Sequence, residues 1–191
     1  MNSHNPTDQE LVAHTLRDRH AYRAVVERYT QRLEKYLRRL GADEELAKDI
    51  LQESFIKAYI NLNDYDASLS LSAWLYRIVH NETVSHFRKA RIRPEPVRHE
   101  KDLALFDTIP DELDIVAEAD AQSARAAVQA ALDSLESKYR DVLVLRFFEE
   151  KSYDEISDIL QIPPGTVATY INRGKAKLKS AIRHSKAIDK Q

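Results

Sequence analysis

The side chains best suited to contact another molecule lie near the C-terminus, on one side of a helical pattern. Apolar residues at helical spacing define the opposite, buried side: Val167, Ile171, Leu178 and Ile182. Outside them, Asn172 and Arg173 can form hydrogen bonds with base edges in a DNA groove, and the lysines that follow suit phosphates. The residues predicted to contact DNA here are Thr166, Ala168, Thr169, Tyr170, Asn172, Arg173, Lys175 and Lys177.

Two short helices joined by a tight turn would position these side chains. Ser152 and Glu155 stand in the S-x-x-E relation of a capping box, which satisfies free amide donors at the start of a helix. The run from Ile162 to Gly165 breaks that helix, and Pro164 suits the first position of the next one. The pattern therefore predicts a helix-turn-helix that reads DNA. A solvated basic face on an ordinary helical hairpin is the alternative that these residues leave open.

Composition limits both the fold and the chemistry of the chain. Its 191 residues are 43% hydrophobic with only 3 Gly and 6 Pro, which predicts an all-α protein of one large or two small domains. The lack of cysteine excludes disulfides and thiolate zinc sites. The net charge of -2 hides a segregation of acidic and basic stretches. No signal-peptide pattern or long apolar run is present, so we expect a cytoplasmic protein without membrane insertion.

Three blocks follow one another along the chain. Residues 7–94 and 122–185 show helical patterns, whereas residues 95–121 carry many carboxylates and little helical periodicity. The helices predicted in the outer blocks, besides the two described above, are Gln9–Arg17, Ala21–Leu40, Asp43–Leu62, Leu71–Lys89, Ser123–Leu135 and Lys138–Glu149. We therefore expect two small helical domains joined by an acidic, flexible linker.

Three polar residues of the first block share one side of a predicted helix, namely Asp49, Gln52 and Glu53. Phe55 belongs to the apolar stripe that would pack this helix against its neighbours. The spacing alone fits an ordinary solvated face as well as a contact surface for a partner.

Aromatic, amide and basic side chains alternate in the helix predicted from Leu71 to Lys89. Aromatic rings stack on unpaired bases and basic groups pair with phosphates, so this mixture is typical of single-strand binding. The alternative is a buried tryptophan followed by a solvated basic helix end. The residues predicted to contact nucleic acid are Trp74, Tyr76, Asn81, His86, Arg88 and Lys89.

Catalytic groupings are missing from the sequence pattern. Its carboxylates, histidines and hydroxyls show no catalytic spacing. His80 and His86 are six residues apart and do not share a helix face, as two metal ligands on one helix would. We expect no enzymatic activity, no cofactor and no metal site.

Four stretches carry a family likeness over nearly the whole chain: Asp49–Phe55, Trp74–Asn81, Leu132–Arg146, and Ser152–Ile156 with Gly165–Val167. In this order and spacing they resemble the sigma-70 family, specifically the small extracytoplasmic-function (ECF, group IV) sigma factors of bacteria. The resemblance implies a region 2 domain over 7–94 and a region 4 domain over 122–185. It further implies an alternative sigma factor that directs core RNA polymerase to promoters under the control of an anti-sigma factor.

The same resemblance implies a role for each candidate surface. Asp49, Gln52, Glu53 and Phe55 match the surface that docks on the clamp helices of the largest polymerase subunit. The set from Trp74 to Lys89 matches the part that captures the minus-10 element as separated strands, and residues 63–72 match the loop that shapes a pocket for a flipped base. The set from Thr166 to Lys177 matches the minus-35 recognition helix. The acidic linker would follow the RNA exit path.

The implied partners are therefore core RNA polymerase, including the flap of its second-largest subunit, promoter DNA and an anti-sigma factor, which could also hold the protein at a membrane. Several positions depart from the family pattern: Lys48, Ser85, Pro163, Ala168 and Tyr170. The last two remove positive charge from the recognition helix, so the promoter preference cannot be copied from relatives. Three other functions stay open on the sequence: a conventional repressor or activator, a sigma mimic that binds an anti-sigma protein but no DNA, and a DNA enzyme such as a nuclease.

Overall fold

Helices form the framework of the chain. The computed structural model describes residues 6–66, 69–89 and 128–188, with side chains described up to residue 183. The α-helices are α1 (Asp8–Arg17), α2 (Tyr22–Arg39), α3 (Glu44–Ile60), α4 (Leu71–Lys89), α5 (residues 128–133), α6 (Ser137–Phe147), α7 (Tyr153–Leu160) and α8 (Pro164–Ile188). Over these residues the chain is all-α, which confirms the predicted fold class. The predicted acidic linker, residues 95–121, lies outside the described residues.

Local capping explains where several of these helices begin and end. At α7 the Ser152 hydroxyl accepts from the Glu155 amide at 3.1 Å, and the Glu155 carboxylate accepts from the Ser152 amide at 2.9 Å, so the predicted capping box is confirmed. Asp43 caps α3 by accepting from the Leu46 amide at 2.8 Å. Gly41, with φ of 98°, ends the turn after α2 in a conformation that favours glycine.

Helices α1 to α4 form the first helical unit. Its interior is built from α3 packed on α4 and α2, with Tyr36, Leu37, Ile50 and Leu75 at 2% exposure or less. These apolar residues recur at the helical spacing that the sequence shows, so each helix turns one stripe inward.

Helices α5 to α8 form the second unit, in which α8 packs on α6 and α7. The predicted inward face of α8 is confirmed, because Val167, Ile171, Leu178 and Ile182 are all at most 5% exposed. Gly174 lets α8 lie close to α6, since a Cβ atom there would be 3.2 Å from the Leu143 side chain. Among the described helices, none has the length and apolar character needed to cross a membrane.

The two units also pack on each other, chiefly through α4 and α7, and their buried residues form one continuous cluster. A buried ion pair joins Arg39 at the end of α2 to Glu149 after α6, with 2.8 Å between Nη1 and Oε1. The described chain therefore has a closed arrangement in which the second unit covers part of the first.

His80 lies near this junction and is almost fully buried. Its Nδ1 atom is hydrogen-bonded to the Tyr36 hydroxyl at 3.0 Å. Burial lowers the pKa of His80 below its ordinary value of 6.5, the Asp141 carboxylate raises it and Arg140 lowers it further. The net effect is a histidine that stays neutral in the folded protein at pH values where it is protonated in the unfolded chain.

Because protons bind the unfolded chain before they bind folded His80, the contribution of this residue to stability should fall as the pH drops below about 6.5. Between about pH 7.5 and 5.5 the wild type should lose more stability than His80→Gln, which keeps a polar group beside Tyr36 but cannot titrate. Urea unfolding at each pH measures this difference. Parallel pH curves for the two proteins would contradict the assignment of a depressed pKa.

Candidate protein and nucleic-acid interfaces

The first candidate surface is the polar face of α3, which Asp49, Gln52 and Glu53 form together. All three side chains are exposed, whereas Phe55 is only 8% exposed and its carbonyl accepts from the Tyr22 hydroxyl at 2.8 Å. Phe55 therefore packs on the buried side of α3, and the three polar side chains remain accessible to a partner.

Two side chains on this side of α3 are already paired with α4. The Glu53 carboxylate is hydrogen-bonded to Nε2 of His86 at 3.0 Å. This hydrogen bond is the main cause that lowers the pKa of Glu53. Lys57 pairs with Glu82 at 2.6 Å, where the Glu82 side chain is only 14% exposed. The polar face of α3 is thus connected to the basic end of α4, a link that the sequence does not show.

Three atoms that could bind a metal ion lie within 4.8 Å of one another on these helices. They belong to Glu53, Glu82 and His86. Sequence reasoning considered only histidines on one helix and so missed a set that combines α3 and α4. The ammonium group of Lys57 already neutralises Glu82 in this set, so the cluster is well explained as an ion-pair network.

The predicted single-strand contacts on α4 divide into two groups. Asn81, Arg88 and Lys89 are exposed, and His86 is half-buried. Trp74 is 8% exposed and packs against Tyr65 with 5.2 Å between ring centroids, while Tyr76 is fully buried. The end of α4 can therefore contact nucleic acid in this arrangement, whereas its aromatic beginning lies within the protein.

The third candidate surface is the outward face of α8. Thr169, Asn172 and Arg173 are exposed, and Thr166, Ala168 and Tyr170 are half-buried at its edges. The Thr169 hydroxyl donates to the Gly165 carbonyl at 2.8 Å, which directs that donor to the backbone. Asn172 and Arg173 are therefore the side chains on this face best placed to donate to base edges.

The two lysines of this surface lie over aromatic rings of α6. Lys175 Nζ is 5.4 Å from the Phe147 ring, and Lys177 Nζ is 5.3 Å from the Tyr139 ring and 3.6 Å from the Glu136 carboxylate. The Tyr170 ring meets Tyr139 edge-on at 5.6 Å. Tyr139 on α6 and Glu136, the residue before α6, thus contact Lys177, and sequence reasoning missed both because they are distant from Lys177 in the sequence.

This architecture is that of a helix-turn-helix protein with a second helical unit whose polar faces are exposed. Residues 25–92 match the family model for Sigma-70 region 2, and residues 125–178 match the model for Sigma-70, region 4. The chain therefore belongs to the sigma-70 family, and its relatives place it among the ECF RNA polymerase sigma factors.

The chain is similar to relatives along nearly their full length. It is 34% identical over 172 residues to the ECF RNA polymerase sigma factor SigW of Bacillus subtilis. This match covers 87% of this chain and 91% of the relative. It is 30% identical to the RNA polymerase sigma-H factor of Pseudomonas aeruginosa, over 92% of this chain and 94% of the relative. The family resemblance found in the sequence is confirmed.

Two solved structures have the same fold. One is CnrH in complex with the cytosolic domain of CnrY, with a TM-score of 0.70, 25% identity, and coverage of 93% of this chain and 97% of that one. The other is the sigma factor RpoE in complex with the anti-sigma factor NepR from Bartonella quintana, with a TM-score of 0.62, 19% identity, and coverage of 85% and 96%.

Proposed function

We propose that the chain is an alternative sigma factor that binds core RNA polymerase and directs it to promoters with specific minus-10 and minus-35 elements. One observation carries this proposal: the models for Sigma-70 regions 2 and 4 match in order on the two helical units. The members of this family are transcription initiation factors and not enzymes. We infer that this chain likewise has no catalytic activity of its own.

Each candidate interface takes one step of initiation in this proposal. The polar face of α3 docks on the clamp helices of the largest subunit, since its side chains are exposed and the buried Phe55 packs α3 onto the rest of the unit. Asn81, Arg88 and Lys89 at the exposed end of α4 contact the separated minus-10 strands. The outward face of α8 contacts the minus-35 duplex, and region 4 also meets the flap of the second-largest subunit.

The proposed domains are region 2 over residues 7–94, an acidic linker over 95–121 and region 4 over 122–185. The carboxylates of the linker suit a path normally taken by RNA, another polyanion. The similar RpoE structure contains an anti-sigma factor, and we propose control of this chain by a protein of that kind. Its place of action would be the cytoplasm, where core polymerase meets promoter DNA.

Run-off transcription with core polymerase tests the proposed function directly. A library of promoter fragments with varied minus-10 and minus-35 sequences should yield transcripts from a defined subset only when the chain is added. Protein without core polymerase should yield none. Absence of specific transcripts from every fragment, with a chain that is folded by circular dichroism, would contradict the proposal.

Gln52→Ala should weaken binding to core polymerase about tenfold, because it removes one exposed hydrogen-bonding side chain from the docking face without disturbing an ion pair. Gln31→Ala is the matched control, since Gln31 is exposed on α2, away from that face. Equilibrium binding of labelled chain to core enzyme measures both. Equal affinities of the two variants for core polymerase would contradict the assignment of Gln52 to the docking surface.

Arg173→Ala and Lys177→Ala should affect promoter binding in different ways. Arg173 reaches base edges, so its loss should relax the preference at one or two base pairs, by about 1–3 kcal/mol. Lys177 contacts phosphate, so its loss should weaken all sequences alike and reduce the salt dependence of log K by about one unit. Holoenzyme binding to matched and mismatched minus-35 duplexes at several salt concentrations separates the two effects. A loss of sequence preference in Lys177→Ala would reverse these assignments.

A further inference from the structure

Two lysines from different helices meet over one aromatic ring at the edge of the outward face of α8. Lys138, in the first turn of α6, has its Nζ atom 5.0 Å from the centre of the Tyr139 ring, and Nζ of Lys177 on α8 is 5.3 Å from the same centre. Tyr139 is buried and meets Tyr170 edge-on, so its ring is a fixed support for both ammonium groups. Lys138 lies outside the set of residues that the sequence predicts to contact DNA.

A single carboxylate bridges the two ammonium groups. Oε2 of Glu136 is 2.7 Å from Nζ of Lys138, and Oε1 of Glu136 is 3.6 Å from Nζ of Lys177. The hydrogen bond between Glu136 and Lys138 is the main cause that lowers the pKa of Glu136 and raises the pKa of Lys138. Two oxygens that share one negative charge thus contact two cations. The two non-bridging oxygens of a DNA phosphate can make the same pair of contacts.

The bridged groups are open to solvent. The side chains of Lys138, Lys177 and Glu136 are between 46% and 54% exposed. A groove of about 680 Å³ lies beside them, and its lining includes Lys177, Glu136, Ser180 and the exposed Arg183. A backbone phosphate can therefore reach the two ammonium groups without a movement of α6 or α8.

The position of Lys177 on α8 indicates DNA as the source of that phosphate. Lys177 follows Arg173 by four residues, so both lie on the same side of the helix, about 6 Å apart along its axis. Arg173 donates to base edges in the proposed function. An ammonium group one turn further along the helix then faces the sugar-phosphate backbone beside those bases, where contacts fix the orientation of the protein on the duplex.

DNA can displace the carboxylate because exposed ion pairs are weak. Water and salt screen such pairs, and long side chains lose conformational freedom when they form them. Duplex DNA, in contrast, carries one negative charge per about 1.7 Å of its axis and releases condensed counterions when lysines neutralise its phosphates. The exchange of Glu136 for a phosphate therefore favours the DNA complex, although the carboxylate still weakens that complex by competing for the same lysines.

We propose that Lys138 and Lys177 form a phosphate-binding site at the edge of the minus-35 surface, and that Glu136 fills this site until a backbone phosphate of the DNA replaces its carboxylate. The site rests on the proposed function, since it adds a contact from α6 to the DNA that α8 reads. Glu136 weakens binding to every sequence by the same factor. Duplexes that lack the correct base pairs then no longer bind at protein concentrations at which the correct promoter still does.

Holoenzyme assembled with full-length variants tests this site on matched and mismatched minus-35 duplexes. Glu136→Gln keeps the size of the side chain and removes its charge, so it should bind both duplexes about threefold more tightly and leave their ratio unchanged. Asp158→Asn removes one negative charge from an exposed position on α7 and is the matched control. Its affinity for both duplexes should equal that of the wild type.

Lys138→Ala should weaken binding to both duplexes alike and reduce the salt dependence of log K by about one unit, because one phosphate contact is lost. Lys48→Ala removes another exposed lysine that pairs with a glutamate, on α3, and should leave the affinity and the salt dependence unchanged. When Lys138 and Lys177 are both replaced by Ala, the further change Glu136→Gln should no longer tighten binding, since no lysine is left for the carboxylate to occupy.

An unchanged salt dependence in Lys138→Ala would overturn the site, since α8 alone would then bind the phosphate. Equal tightening by Glu136→Gln and Asp158→Asn would also overturn it, because net charge would then explain the gain. A wild-type holoenzyme that binds matched and mismatched duplexes equally would instead overturn the proposed function. The two failures are therefore distinguishable in the same set of measurements.

Discussion

The burial of Glu149 among Arg39, Arg32, Lys151 and Tyr76 is the polar interaction that joins the two described helical units. The buried apolar residues of the two units form one continuous cluster, and the polar contacts between the units favour one way of joining them. A buried carboxylate that loses its cationic partners costs several kcal/mol, so other packings of the same apolar surfaces are disfavoured. Burial raises the pKa of Glu149, although the Tyr76 hydrogen bond and the charges of Arg39, Arg32 and Lys151 act to lower it.

This constraint determines which contact surfaces are available in the free protein. The polar face of α3, the end of α4 and the outward face of α8 are exposed, so a partner can contact them without a rearrangement of those elements. Tyr76, in contrast, is fully buried between the Tyr36 ring of its own unit and Glu149 of the second unit.

Much of the local structure could be predicted from the sequence, because its signals act over a few residues. The capping box at Ser152 and Glu155, the start of α8 at Pro164 and the inward face of α8 all depend on short spacings, and all are confirmed. The contacts of Glu149 could not be predicted. A charged residue at the end of a helix is expected to be exposed to solvent unless its partners, distant in the sequence, are known. Glu82 and Glu136 were missed for the same reason, because each acts on a side chain of another helix.

The distance between the two units in the free and bound protein tests the closed arrangement most directly. The chain has no cysteine, so Arg23→Cys on α2 and Asp158→Cys on α7, both exposed, provide the only two labelling sites for spin labels. We predict one short, narrow distance distribution in the free chain and a longer one after core polymerase is added. A free chain whose distances are already as long and broad as those of the bound form would contradict the account.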